Sequence, residues 1–226
     1  MSKRIVHPYL QPLQQSLQER FHEANAKAMS QYMRNLFPFF GVATPTRAIV
    51  FKEHIKQFGL PTFKELTKVL KSCMAQSERD FHYFAIHLLG KYVKEDAVKF
   101  SELMTYLITT NSWWDSVDGT SSSSVRPFFK LHPELVPQIT RTWMDSGNFW
   151  LQRSAIIFQM GYREKTNEKL LFDYCLELKD EKEFFIQKAI GWALREYSKT
   201  NPKKVSAFLK ANKLAPLSVR EASKYL

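Results

Sequence analysis

Glycine is scarce in this chain, with seven among 226 residues, and cysteine scarcer, with two. None of the glycines forms a phosphate-cradling loop of the P-loop or dinucleotide type, which excludes the common nucleotide folds. Cys73 and Cys175 lie far apart in helical patterns. They read as small apolar residues of a reduced cytosolic protein, not as a disulfide framework. Two cysteines cannot build a structural zinc site without histidines at ligand spacing. His82 and His87 are five apart, off one helical face, and no His-Glu-x-x-His motif occurs, so no metal site is read from the sequence. No apolar run approaches the ~18–20 residues of a membrane span. Met1-Ser2-Lys3-Arg4 is not followed by a hydrophobic signal core. Alternating strand patterns bounded by turns are missing as well.

What remains is helical periodicity nearly throughout. Helices are expected at about 8–23, 27–37, 45–57, 62–75, 77–93, 95–109, 113–118, 125–131, 133–145, 148–162, 167–179, 181–199, 202–212 and 217–225. Thr44-Pro45, His132-Pro133 and Asn201-Pro202 place proline at first helical turns. So many short helices joined by tight turns are too many for a simple bundle. The expected fold is all-α, a curved solenoid of degenerate HEAT-like helical repeats, with residues 1–226 as one domain and a concave binding face. The run Gly119-Thr-Ser-Ser-Ser-Ser124 is expected to break the helix and to be mobile. Phe37-Pro-Phe-Phe40 reads as core.

Charge is uneven. The formal net charge is +11, and the segment from Lys188 to Leu226 holds nine Lys/Arg against Glu196 and Glu221. Such a bias suits a polyanion, either nucleic acid or an acidic membrane surface, and equally suits plain solubility.

Three places present chemistry. In Asn111-Ser-Trp-Trp-Asp-Ser-Val-Asp118, Ser112 and Asp115 fit a Ser-x-x-Asp capping box. Trp114 and Asp118, four apart, share one helical face, and a carboxylate beside an indole suits a cationic ligand. In the 181–199 helix, Ile186, Ile190, Ala193, Leu194 and Tyr197 form the core stripe. Trp192 points roughly 140° away from it at ~100° per residue, with Lys188, Arg195 and Lys199 on its face. A ring framed by cations fits a nucleic-acid strand, or else a groove between repeats. Arg153 sits on an apolar face with Trp150, Ile156, Ile157 and Met160. It needs a partner, from Asp118, Asp115 or a phosphate, unless it snorkels to solvent.

These residues resemble the alkylpurine DNA glycosylases built from HEAT-like repeats, the AlkD-type DNA alkylation repair proteins. The likeness covers nearly the whole chain. It rests on Ser112-Trp-Trp-Asp-Ser-Val-Asp118, His132-Pro-Glu-Leu135, Trp150-Leu-Gln-Arg-Ser-Ala155, the 182–197 stretch from Lys182 to Tyr197, Asn201-Pro202 and Leu214-Ala-Pro-Leu-Ser218. The resemblance implies a cleft lined by Trp114, Trp192 and Asp118, completed by Arg153 and Tyr32. It implies a monomer acting on duplex DNA that contains cationic N3- and N7-alkylpurines, in the cytoplasm and associated with a bacterial nucleoid, with no membrane and no cofactor. Asp118 would stabilise the charge that grows on the deoxyribose, the two indoles would cradle the sugar, and Tyr32, Arg153, Lys188, Arg195 and Lys199 would contact DNA. The chain departs from the family where Phe21 to Tyr32 is about four residues short, so that the N-terminal DNA-supporting helix is expected to be reduced or missing. It departs again where the serine run replaces a continuing apolar helix. A non-catalytic repeat paralogue with weak or absent DNA binding is the alternative, and a membrane-surface protein the distant third.

Overall fold

A computed structural model describes residues 6–226, so the Met1–Arg4 stretch read for a leader lies outside them. The chain folds into two compact units that meet in sequence at Asn111 and Ser112. Among the described residues there are helices and no strand.

The first unit holds α1 (Gln11–Gln18), α2 (Glu23–Tyr32), α3 (Thr44–Phe58), α4 (Phe63–Ala75), α5 (Arg79–Leu89) and α6 (Ala97–Thr109). Its core follows helical spacing: Leu13 and Leu17 of α1, Leu66, Val69, Leu70 and Cys73 of α4, and Phe81, Phe84, Ala85, Leu88 and Leu89 of α5 are all buried. Phe39 and Phe40 join this core as expected. Asp80 is buried too, and its carboxylate accepts from the Phe40 amide at 3.0 Å and from Arg47 at 3.5 Å. An N-terminal helix is present in this region: α2 runs for ten residues and buries none of them. Its hold on the body is a close backbone approach. Gly41, at φ +78°, lies so near α2 that an added Cβ would fall 2.2 Å from the His22 carbonyl oxygen. Only glycine suits both the space and the dihedral.

The second unit holds α7 (Trp114–Thr120), α8 (Arg126–Leu131), α9 (Val136–Asp145), α10 (Phe149–Ile157), α11 (Glu168–Glu177), α12 (Phe184–Ser198), α13 (Pro202–Ala211) and α14 (Pro216–Ala222). Asparagines start three of these helices. Asn148, Asn167 and Asn201 accept from the first-turn amides of α10, α11 and α13. Proline opens α13 and α14, where its missing N–H costs nothing. Helix α12 packs on α10, α13 and α14. Ile186, Ile190, Ala193 and Leu194 form its buried stripe, as the periodicity predicts.

One expectation is corrected here. The serine run neither breaks the helix nor loops out. Residues Ser121–Val125 form a π-helical turn that joins α7 to α8 without interruption, and the Arg126 amide bonds back to the Ser121 carbonyl. The physical reason lies in side-chain size. Ser121 and Ser124 are fully buried, and the Ser121 hydroxyl lies 3.4 Å from that of Ser154 on α10, itself fully buried. Small side chains let the two helices approach. The hydroxyls of Ser122 and Ser123 donate to the Gly119 carbonyl at 2.9 Å, supplying partners where the widened turn leaves the regular ladder.

Candidate active site

Helix α7 begins one residue later than the Ser112/Asp115 box predicts. Trp113 is the N-cap, in extended conformation, and the Ser116 hydroxyl accepts from the Trp113 amide at 3.3 Å. Asp115 occupies the first turn, where a negative charge meets the positive end of the helix dipole. One turn on from Trp114, on the same side of the helix, comes Asp118.

Asp118 is the partner that Arg153 requires. Arg153 Nε donates to Oδ1 and Nη2 to Oδ2, both at 2.8 Å, while Nη1 donates to the Phe185 carbonyl at 2.7 Å. The arginine side chain is 1% exposed and the aspartate side chain 25%. The guanidinium therefore lies beneath the carboxylate, fixes its plane through a two-pronged contact, and leaves the outer edge of Asp118 open. The DNA contact expected of Arg153 is corrected by this burial: it has no surface to offer a strand. Its donors are spent on Asp118 and on the backbone of α12.

The floor around this pair is aromatic. Trp113 meets Phe185 edge-on at 5.1 Å and Trp150 at 6.0 Å, and Trp150 lies 4.9 Å from Phe185. The guanidinium itself is 1% exposed, and burial of this kind strengthens its attraction to Asp118.

Trp192 stands over the same arginine. Its ring is 5.2 Å from the Arg153 guanidinium, 5.1 Å from Lys188 Nζ and 5.9 Å from the Arg195 guanidinium. It is half-buried and outside the core stripe of α12. Lys199 is not part of this frame. It pairs with Glu196 at 2.6 Å and lies over the Tyr225 ring. Arg153 takes the third place instead.

The two remaining cations are themselves held. Glu221 on α14, 5% exposed, accepts from Lys188 at 3.0 Å and Arg195 at 3.1 Å, and from Lys224 at 2.9 Å. The bond from Lys224, then those from Lys188, keep its carboxyl down at about 2, against the burial that would raise it. Helix α14 comes this close because residue 191 is glycine: a Cβ there would fall 2.5 Å from the Glu221 Cβ and 2.9 Å from the Ser218 carbonyl oxygen. Sequence reasoning counted Glu221 as a charge and missed its role. The signal available was its place as one of two carboxylates in a strongly basic tail.

The structure thus brings Asp118, Arg153, Trp192, Lys188 and Arg195 together, with Trp114 on the Asp118 helix. Tyr32 ends α2 in the first unit and is 71% exposed. No three His, Cys, Asp or Glu residues gather as metal ligands among the described residues, and no helix there is long and apolar enough to cross a membrane.

An all-helical scaffold that presents an arginine-backed aspartate and, over the same arginine, an indole defines a class of helical-repeat protein. The comparisons place it further. The model of the DNA alkylation repair enzyme family matches residues 13–226. A solved structure titled a predicted DNA alkylation repair enzyme from Enterococcus faecalis is 35% identical, with a TM-score of 0.85 over 92% of this chain and 97% of that one. AlkD2 from Streptococcus mutans is 19% identical, with a TM-score of 0.62 over 78% of this chain and 88% of that one. The protein smu.31 from Streptococcus mutans UA159 gives the same identity and score, over 78% and 90%. Nothing among curated proteins matches. The chain belongs to the DNA alkylation repair enzyme family. Its fold is the HEAT-like helical repeat fold.

Proposed function

We propose that this protein is a monofunctional glycosylase that releases cationic N3- and N7-alkylpurines from duplex DNA. The observation that carries the reading is the Asp118 carboxylate, fixed by a buried arginine and open at its outer edge beside Trp192.

The chemistry follows from charge. An alkylated purine already bears a positive charge. When the C1′–N bond breaks, its electron pair leaves with the base, which departs neutral, and the positive charge passes to the deoxyribose. Asp118 faces that charge and stabilises it more strongly than it does the ground state. Water adds to C1′ on the side of the carboxylate, and its proton goes to Asp118 or to solvent. The indole faces of Trp114 and Trp192 add cation–π attraction to the sugar. Arg153 prevents Asp118 from swinging away, so little reorganisation is needed as the charge develops. Lys188 and Arg195 hold the Trp192 ring electropositive from their places on Glu221, and Lys199 adds to the positive charge that draws the DNA backbone. The protein works as a monomer, in the cytoplasm on nucleoid DNA.

The second reading, a repeat paralogue that no longer excises bases, draws support from Glu221, which already occupies two of the cations beside Trp192. Single-turnover release of 7-methylguanine from methylated duplex decides between them. Release that disappears in Asp118→Asn supports the glycosylase. A parent protein that releases no base and binds duplex weakly or not at all at low salt supports the paralogue.

A further inference from the structure

Every cation that frames Trp192 is committed: Arg153 to Asp118, and Lys188 and Arg195 to Glu221. Arg126, at the head of α8, differs from all of them. Its Nε is buried and has no hydrogen-bond partner, and its guanidinium enters no ion pair among the described residues. Half-buried cations are normally paired, because an unpaired one loses hydration without return. Burial draws the guanidinium below the usual arginine range, against the pull of the Asp118 and Glu196 carboxylates.

The backbone explains how a residue eight positions on comes to face Asp118. In a regular helix, eight residues at ~100° leave the two about 80° apart. The π turn between them holds one extra residue in the coil, worth roughly 100°, and brings them back to within about 20°. The π turn thus carries Arg126 to the same side of the continuous coil as Asp118. The Tyr162 hydroxyl, which donates to the Arg126 carbonyl at 2.8 Å, pins the backbone there.

We propose that Arg126 is a substrate-binding residue that receives a backbone phosphodiester of the DNA strand seated over Asp118. This rests on the reading of the site as one that takes DNA. The arginine stays unpaired in the free protein so that a phosphate can satisfy it. The phosphate in turn screens Arg126 from the cationic sugar that Asp118 must face.

The test is a titration of an end-labelled duplex over a range of KCl concentrations, with the full chain and with Arg126→Ala, Arg126→Lys and, as a control for general charge, Lys210→Ala on the exposed side of α13. Arg126→Ala should bind roughly tenfold more weakly at low salt. Its slope of log affinity against log salt should fall by about one. Arg126→Lys should keep the slope and lose part of the affinity, and Lys210→Ala should match the parent. The thermal midpoint of Arg126→Ala should equal or exceed that of the parent, because no partner is left behind. Unchanged affinity and slope in Arg126→Ala, with the parent binding normally, overturns the assignment alone. A drop of several degrees in its midpoint makes Arg126 structural and overturns it too. A parent that binds no duplex at low salt overturns both this inference and the proposed function.

Discussion

Arg153 reaches across from α10 and grips both oxygens of Asp118 at 2.8 Å from its buried side. The contact joins stability to chemistry. Asp118→Asn keeps the shape but removes the charge. Base release should fall by about 10²–10³, the cost of ~3–4 kcal/mol for losing a preorganised charged group. The fold should suffer as well, because Arg153 would be left as a buried charge without a counter-ion. The cost of leaving one partner behind reaches ~3–5 kcal/mol for a fully buried pair, and somewhat less here, where Asp118 is partly exposed. Adding Arg153→Met to Asp118→Asn should restore much of the thermal midpoint without restoring release. Thermal melts and single-turnover assays of the parent, the single variant and the double variant read both. Asp115→Asn, by contrast, should cost ~0.3–1 kcal/mol through the helix dipole and leave release in place.

Gly191 gives a steric prediction. A methyl group there would fall 2.5 Å from the Glu221 Cβ and 2.9 Å from the Ser218 carbonyl oxygen, atoms on or next to a backbone that cannot turn aside. Gly191→Ala should push α14 off α12 and lower stability by ~1–3 kcal/mol, despite alanine's better helix propensity. The emission of Trp192 should shift to the red as Lys188 and Arg195 lose their fixed positions. An unshifted spectrum with a raised midpoint would show that α14 yields freely.

Ser124 tests the π turn. It is fully buried. Ser124→Leu should destabilise by ~1–3 kcal/mol through overpacking, and the same change at exposed Ser122 should cost well under 1 kcal/mol. Equal, small effects at the two positions would return the run to the loop expected from its composition. The contrast shows what was legible in the sequence. Helix type, proline starts, the α12 core stripe and the outward turn of Trp192 all follow from 3.6-residue periodicity. So does the need of Arg153 for a partner, since a charge at a core position announces itself. The serine run was misread because a small polar residue carries the same letters in a loop and in a buried helix crossing. Only the partner, Ser154 on α10, tells them apart. Glu221 and Arg126 were missed because their roles depend on contacts 26 to 33 residues away in one case and on the phase of a π turn in the other.

Glu221 gives the pH prediction. Its folded-state carboxyl lies near 2, below the ordinary value of 4.5, through its bonds to Lys224 and Lys188. A depressed carboxyl contributes stability that is fully present above the unfolded value and is lost as pH falls toward the folded one. The parent should therefore be more stable than Glu221→Gln at pH 7. The gap between their thermal midpoints should hold down to about pH 5, narrow between about 4.5 and 2, and close below that. Glutamine keeps the volume and one acceptor but cannot balance three cations, so at neutral pH Lys188 and Arg195 repel each other across the Trp192 ring. Added salt should recover part of the loss in the variant by screening that repulsion. A gap that is constant from pH 7 to pH 2 would mean that Glu221 acts through packing against Gly191 and not through its charge.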